Sequence, residues 1–178
     1  NRVFPGHADS FSISERVAYE YWNRFVLKAD YVISLHGGGG LENAMVPRVI
    51  IQEDLGPEHL FVEDSMAMAK AMAMSEEWVI TGKSEHTKRQ ENTLPLHCAV
   101  IGKPCILVEI GGGDRTPASL DHVIELIVNG ILNIMRWAGM LDESPVYPKK
   151  WRRIEEYTML RPRKGGILRY DRRYYLNT

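Results

Sequence analysis

Apolar residues occur in two patterns that alternate along the chain, and these predict a succession of strands and helices. Short runs that are β-branched and apolar at nearly every position predict buried strands at residues 30–36, 48–52, 78–81 and 104–110. Longer segments with apolar residues three or four positions apart predict helices at residues 12–28, 61–74, 92–101 and 117–138. Alternating strands and helices are typical of an α/β fold, so we expect a sandwich with a largely parallel sheet.

The start of the first helix carries a capping signal. Ser12 precedes the helical pattern and Glu15 follows three residues later. This spacing predicts a capping box, in which each side chain accepts a hydrogen bond from a backbone N–H of the first turn.

The pattern changes after Gly139. Pro145 and Pro148 flank Tyr147, a basic segment follows, and the Gly-Gly-Ile-Leu sequence at 165–168 predicts a turn into a strand. We therefore expect residues 1–145 to belong to one domain. Residues 146–178 would form a linker and the opening of a second, C-terminal β module.

Composition and charge exclude several classes of protein. The 178 residues are 44% hydrophobic and 25% charged, as in globular proteins, and no run of apolar residues is long enough to span a membrane. Residues 1–148 carry a net charge of −8, which argues against nucleic acid as the main partner, whereas residues 149–173 carry +7. The basic segment could contact RNA or an anionic surface, but we expect it to be solvated or to form an interface with a neighbouring acidic part.

The two cysteines, Cys98 and Cys105, are too few for a disulfide scaffold. They indicate reduced thiols in an intracellular protein, with a single bridge as the alternative.

Two predicted strands end in a polar residue followed by glycines, at His36-Gly37 and at Glu109-Ile110-Gly111. Ligand sites in open α/β sheets gather beyond the carboxyl ends of strands, so neighbouring strands would bring His36 and Glu109 to one cleft. Imidazole is a common metal ligand, and a carboxylate in a cleft can act as a general base. The alternative is a hydrogen-bonded histidine and a salt-bridged glutamate without a chemical role.

Other motifs are weaker. Neither glycine run fits a dinucleotide-binding pattern, and the chain has no C-x-x-C motif. His122 and Glu125 form an H-x-x-E pair that could share a helix face as metal ligands, but their neighbours are ordinary helix residues.

Three motifs together resemble the succinylglutamate desuccinylase/aspartoacylase family of the zinc carboxypeptidase superfamily. Residues 1–6 match its N-R-x-F-P-G signature, and residues 14–18 match the helix that follows. Residues 29–38, including Leu35-His36, resemble its A-D-x-x-I-D-L-H-x-G strand, and residues 101–113 resemble its G-x-P-x-x-x-x-E-x-G-G segment. The motifs occur in the family's order over most of residues 1–141. The resemblance implies a zinc-carboxypeptidase-like three-layer sandwich with a mostly parallel mixed sheet.

The resemblance also implies roles for individual residues. His36 matches the third zinc ligand, and Glu109 matches the glutamate that activates water bound to the zinc. Asn1 and Arg2 match the pair that grips the substrate carboxylate, which suits a guanidinium able to bind carboxylates through two hydrogen bonds.

The sequence departs from the family pattern at two points. The family's first two zinc ligands form an H-x-x-E motif before the N-R-x-F-P-G loop, and here the chain starts at Asn1, so we expect an N-terminal truncation. Ser34 stands where the family has aspartate two residues before the histidine, so support of the metal ligand is expected to differ.

The sequence thus indicates the central part of a zinc-dependent deacylase that cleaves a small N-acyl amino acid or similar amide in the cytoplasm. Neither nucleic acid nor a membrane is an expected partner, and homo-oligomerisation is left open. The alternative is an incomplete member of the fold that binds a carboxylate ligand without turnover.

Overall fold

A computed structural model describes residues 2–37, 44–52, 60–82, 92–111 and 117–154. Its helices are α1 (Ile13–Arg24), α2 (Leu60–Met72), α3 (Leu94–Val100) and α4 (Pro117–Trp137), with a short 3-10 helix at Val26–Lys28. Its strands are β1 (Val32–His36), β2 (Ala44–Ile51), β3 (Val79–Thr81), β4 (Cys105–Gly111) and β5 (Arg152–Ile154).

Most of these elements confirm the prediction to within two residues at each end. The strand predicted at 48–52 begins earlier, at Ala44, and the helix predicted at 12–28 changes from α to 3-10 geometry after Arg24. β5 was not predicted, because three exposed residues in a basic segment carry no apolar signal.

The predicted capping box is wrong. Ser12 is the N-cap of α1, but its side chain makes no capping hydrogen bond. The Ser12 backbone N–H instead donates to Oγ of Ser10 at 3.1 Å. A serine two residues upstream thus satisfies the donor that the box assigned to Glu15.

The described strands form one mixed sheet in the order β1-β4-β2-β3-β5. β1 pairs with β4, β2 with β3 and β3 with β5 in parallel, whereas β2 and β4 are antiparallel. The prediction of a mostly parallel mixed sheet in an α/β fold is therefore confirmed. β4 lies between β1 and β2, so two strands that are consecutive in the chain are separated in the sheet.

Two apolar clusters cover opposite faces of the sheet, because successive side chains of a strand point to opposite sides. Ile106, Val108 and Ile110 of β4 pack in a cluster with residues of α2 and α4. Cys105 joins the cluster on the other face, which includes Trp22 of α1 and residues of α3. The sheet is thus the middle of three layers, as predicted.

A buried asparagine fastens the chain after α4. The Asn133 side chain is fully buried, and its Nδ2 donates to the backbone oxygens of Ala71 at 2.8 Å and Val146 at 2.6 Å. Trp151 adds a hydrogen bond from Nε1 to the Lys70 oxygen at 3.3 Å. Residues 146–154 are therefore attached to α2 and α4, and β5 extends the sheet.

The boundary between residues 1–145 and 146–178 stays a prediction. The turn and strand expected at 165–168 lie outside the described residues. Within the described part of the chain, no helix has the length and apolar character needed to cross a membrane.

Candidate functional site

The sheet brings His36 and Glu109 side by side. β1 and β4 are adjacent and parallel, and their register pairs His36 directly with Glu109. Residues paired in this way project to the same face of a sheet, so both side chains lie on the face of α1 and α3. Each is half-buried, as expected of groups lining a shallow cleft. The expected proximity of the two residues is confirmed, and their chemical roles remain predictions.

Ser34 contacts the imidazole of His36 from within the same strand. Two residues apart in β1, they share a face, and Ser34 Oγ lies 3.3 Å from Nε2 of His36. When Ser34 accepts the Nε2 proton, the lone pair of the neutral ring resides on Nδ1, which is then the nitrogen able to coordinate a metal. Buried Ser34 thus supports the ring where the resembling family has an aspartate.

Arg48 of β2 is a third polar residue at this site, and sequence reasoning missed it. The antiparallel register places Arg48 opposite Glu109, on the side away from His36. Its Nε and one terminal nitrogen both contact Oε2 of Glu109. A signal was present, since Arg48 is the one charged residue in the strand sequence Ala-Met-Val-Pro-Arg-Val-Ile-Ile. A charge there requires a partner or solvent.

The loop that carries Arg2 is seated on the same layer as α1. Phe4 packs against the cluster that includes Trp22, and its backbone N–H donates to the Asn92 oxygen at 2.9 Å. Arg2 is exposed at the start of this loop. Asn1, predicted to grip the substrate carboxylate with Arg2, lies outside the described residues.

Position 6 of this loop requires a glycine. Its φ is +84°, and a Cβ added there would lie 2.2 Å from the backbone oxygen of Glu15 and 2.4 Å from the backbone nitrogen of Tyr19. The loop therefore touches the α1 backbone directly, and both the dihedral angle and the contact exclude a side chain.

The donor set for a metal is incomplete in the described part of the chain. A structural zinc takes four ligands and a catalytic zinc takes three from the protein. Among the described residues no three His, Cys, Asp or Glu side chains gather at one point. His36 is a chemically suitable ligand, and His122 and Glu125 of α4 belong to no such group.

The two cysteines are buried thiols that contact each other. Cys98 lies in α3 and Cys105 begins β4, and neither forms a disulfide. The hydrogen bond from Cys105, aided by Lys103, lowers the pKa of Cys98 against the opposing effect of burial. The same hydrogen bond and burial raise the pKa of Cys105 well above its usual value. The prediction of two reduced thiols therefore describes this structure.

A separate cavity of about 450 Å³ lies between α2 and the segment that follows α4. Met66, Lys70, Tyr147 and Trp151 are among its lining residues. None of the predicted site residues contributes to it.

The three side chains across the sheet make a compact polar group. An imidazole, a carboxylate and a guanidinium stand in a row on neighbouring strands, with the carboxylate in the middle. A carboxylate in such a place can exchange a proton with water.

Comparison with known proteins gives matches in structure but not in sequence. No family model matches the chain. No curated protein matches it in sequence either.

Several solved structures share the fold. The product-bound ectoine utilization protein EutE (DoeB) from Ruegeria pomeroyi superposes with a TM-score of 0.72 at 20% identity, over 89% of this chain and 44% of its own. A succinylglutamate desuccinylase/aspartoacylase from Rhodobacter sphaeroides gives 0.66 at 18% identity, over 88% and 44%. A succinylglutamate desuccinylase from Silicibacter sp. gives 0.65 at 21% identity, over 83% and 42%.

These likenesses establish the fold. The resemblance to the succinylglutamate desuccinylase/aspartoacylase family, read from three motifs, is confirmed at the level of the zinc-carboxypeptidase-like architecture. The chain spans less than half the length of each of these solved structures.

Proposed function

We propose that this chain is the central part of the catalytic domain of a deacylase, which cleaves the amide bond of a small N-acyl amino acid or a related carboxylate-bearing amide. The observation that carries the proposal is the register pair of His36 and Glu109 at the carboxyl end of parallel strands. The shared fold with desuccinylase structures supports it.

In this proposal Glu109 is the general base and acid. Its carboxylate takes a proton from the attacking water and returns it to the nitrogen of the leaving amine, so that the amide bond breaks without a free amide anion forming. Glu109 is suited to both transfers because its side chain is half-buried and so remains accessible to water.

Arg2 binds the substrate carboxylate. Its side chain is exposed on a loop that Gly6 and Phe4 fix against α1 and the neighbouring cluster. A guanidinium can form two parallel hydrogen bonds with a carboxylate, which would select amino-acid-like amides over neutral ones.

Zinc is part of the proposal, and His36 is the described residue that would hold it. The imidazole fits zinc chemically, Ser34 steadies its ring, and the other ligands would have to come from outside the described residues. When bound, zinc lowers the pKa of its water to about 7.

A second candidate is a non-catalytic protein of this fold that binds a carboxylate ligand. The observation in its favour is the ion pair of Glu109 with Arg48, because a carboxylate engaged by a guanidinium resembles a structural salt bridge. In this case the site would keep its affinity for amino-acid-like anions without hydrolysing them.

The decisive experiment measures zinc per chain and amine release from a panel of N-acyl amino acids. We expect bound zinc and turnover, and Glu109→Gln should retain the zinc and lose about 100-fold or more in kcat, the usual contribution of a positioned base. Arg2→Ala should raise KM for acidic substrates far more than for neutral amides.

Three outcomes would each contradict one part of the proposal. Near-normal turnover by Glu109→Gln would remove that residue from the role of base. Equal losses of Arg2→Ala on acidic and neutral amides would exclude a carboxylate grip. Ligand binding without any turnover, in the presence of zinc, would favour the second candidate.

A further inference from the structure

Arg48 meets the predicted base from the strand opposite to His36. The three strands β1, β4 and β2 are adjacent, and their registers align His36, Glu109 and Arg48 across one face. Neighbouring strands lie about 4.8 Å apart, so His36 and Arg48 flank Glu109 on the two adjacent strands, and Arg48 contacts its carboxylate.

The contact between Arg48 and Glu109 is made through two donors and one acceptor. Both the Nε and a terminal nitrogen of Arg48 reach the same oxygen, Oε2. Two N–H groups of a planar guanidinium that converge on one oxygen fix the position of that oxygen. The contact therefore fixes Oε2 on the β2 side of the carboxylate and assigns proton exchange to the second oxygen, Oε1.

Stability gives little reason for such a pair. The side chains are 47% and 24% exposed, and ion pairs in contact with solvent contribute little to folding. Arg48 also interrupts an otherwise apolar strand sequence. A charged residue that gains little stability from its ion pair, and that contacts the carboxylate of the described site, has a functional explanation more readily than a structural one.

We propose that Arg48 is a positioning residue that orients the Glu109 carboxylate for proton transfer and acts through Glu109 rather than on the substrate. This inference rests on the proposed deacylase function. Such positioning should raise the rate, because a base held in one orientation needs no reorganisation when it takes the proton from water. Small misplacements of a reacting group reduce rates strongly.

The test combines Arg48→Gln, Arg48→Lys and Glu109→Gln with the double variant Arg48→Gln/Glu109→Gln. Arg48→Gln should lower kcat on the order of 10- to 100-fold with KM changed less than about twofold. Arg48→Lys should recover part of the loss, since it restores the charge without the planar fork. The double variant should be no slower than Glu109→Gln, because an orienting residue has nothing to orient once the base is gone.

The matched control is Arg136→Gln, which breaks the Arg136–Glu143 pair remote from the site. It should leave kcat and KM unchanged while lowering the melting temperature as little as Arg48→Gln does. A rise in KM without loss of kcat in Arg48→Gln, or multiplied losses in the double variant, would overturn the proposal and make Arg48 a substrate-binding residue.

A second readout separates this proposal from the deacylase function. In the metal-free chain labelled with 13C-glutamate, the carboxyl resonance of Glu109, assigned by its loss in Glu109→Gln, should move in Arg48→Gln and remain in place in Arg136→Gln. An unmoved resonance would show that the contact does not orient Glu109. A moved resonance in a chain that hydrolyses no N-acyl amino acid would retain the positioning contact and reject the deacylase.

Discussion

At the scale of single residues, a glycine determines where the predicted substrate arginine stands. Gly6 lets the loop that begins at Arg2 press its backbone against α1, with no room for even a methyl group. α1 in turn is held to the sheet by Trp22, which is buried among residues of β1, α3 and β4. The position of Arg2 therefore depends on a contact between two backbones rather than on its own side chain.

Gly6→Ala should accordingly be far more harmful than an ordinary glycine substitution. The left-handed dihedral angle costs about 1–2 kcal/mol for alanine, and the backbone clash with Glu15 and Tyr19 adds to it, so we expect a loss of about 3 kcal/mol or more in the free energy of unfolding. Urea unfolding followed by circular dichroism measures this loss.

Gly139→Ala is the matched control for that variant. Gly139 has a φ of +71° but open space around its missing Cβ, so it should lose only the dihedral contribution, about 1–2 kcal/mol. Equal losses in the two variants would show that the loop does not press on α1 in solution.

Some residues of the candidate site could be predicted from the sequence, and others could not. His36 and Glu109 end strands next to glycines, and their neighbourhood follows from the rule on carboxyl ends of strands. Arg48 precedes a Val-Ile-Ile run in the sequence, and its partner Glu109 is 61 residues away. Only the register of β2 against β4 discloses their contact. A long-range register is not encoded in a local pattern.

At the scale of elements, hydrophobic periodicity located the strands but not their directions. The β-branched runs at β1 and β4 predicted buried strands, which the structure confirms. The antiparallel pairing of β2 with β4 could not be predicted, because a strand buried on both faces has the same apolar pattern in either direction. β5 was missed because its residues are all exposed.

The connection from α3 to β4 gives a prediction about the thiols. Cys98 and Cys105 are reduced and buried, so the native chain should react slowly with Ellman's reagent, and unfolding in urea should release two thiols per chain. Exposed cysteines would react at once in the native state. A purified chain that shows no thiol in urea until a reductant is added would instead contain the bridge.

At the scale of the whole molecule, one strand joins the two apolar clusters. Alternate residues of β4 enter opposite clusters, with Cys105 in one and Ile106 in the other. Unfolding of β4 would disrupt both clusters. We therefore expect the described part of the chain to unfold in a single cooperative step.

Tryptophan fluorescence can test this cooperativity, because Trp22 and Trp78 lie in different clusters. Trp137 packs on the same cluster as Trp78, and Trp151 is the fourth tryptophan of the chain. In a Trp151→Phe background, Trp22→Phe silences one cluster and Trp78→Phe/Trp137→Phe silences the other, and the urea midpoint of the remaining fluorescence should coincide with that of far-UV circular dichroism in both variants. Midpoints that separate within one variant would mean that the two layers unfold independently.

The place of β4 between β1 and β2 has a consequence for how the site can vary. His36 and Arg48 are twelve positions apart in the chain, yet each meets Glu109 through its own strand register. The pairing of the strands, and not the length of chain between them, sets the spacing of His36, Glu109 and Arg48, so insertions or deletions between residues 37 and 43 should leave that spacing unchanged.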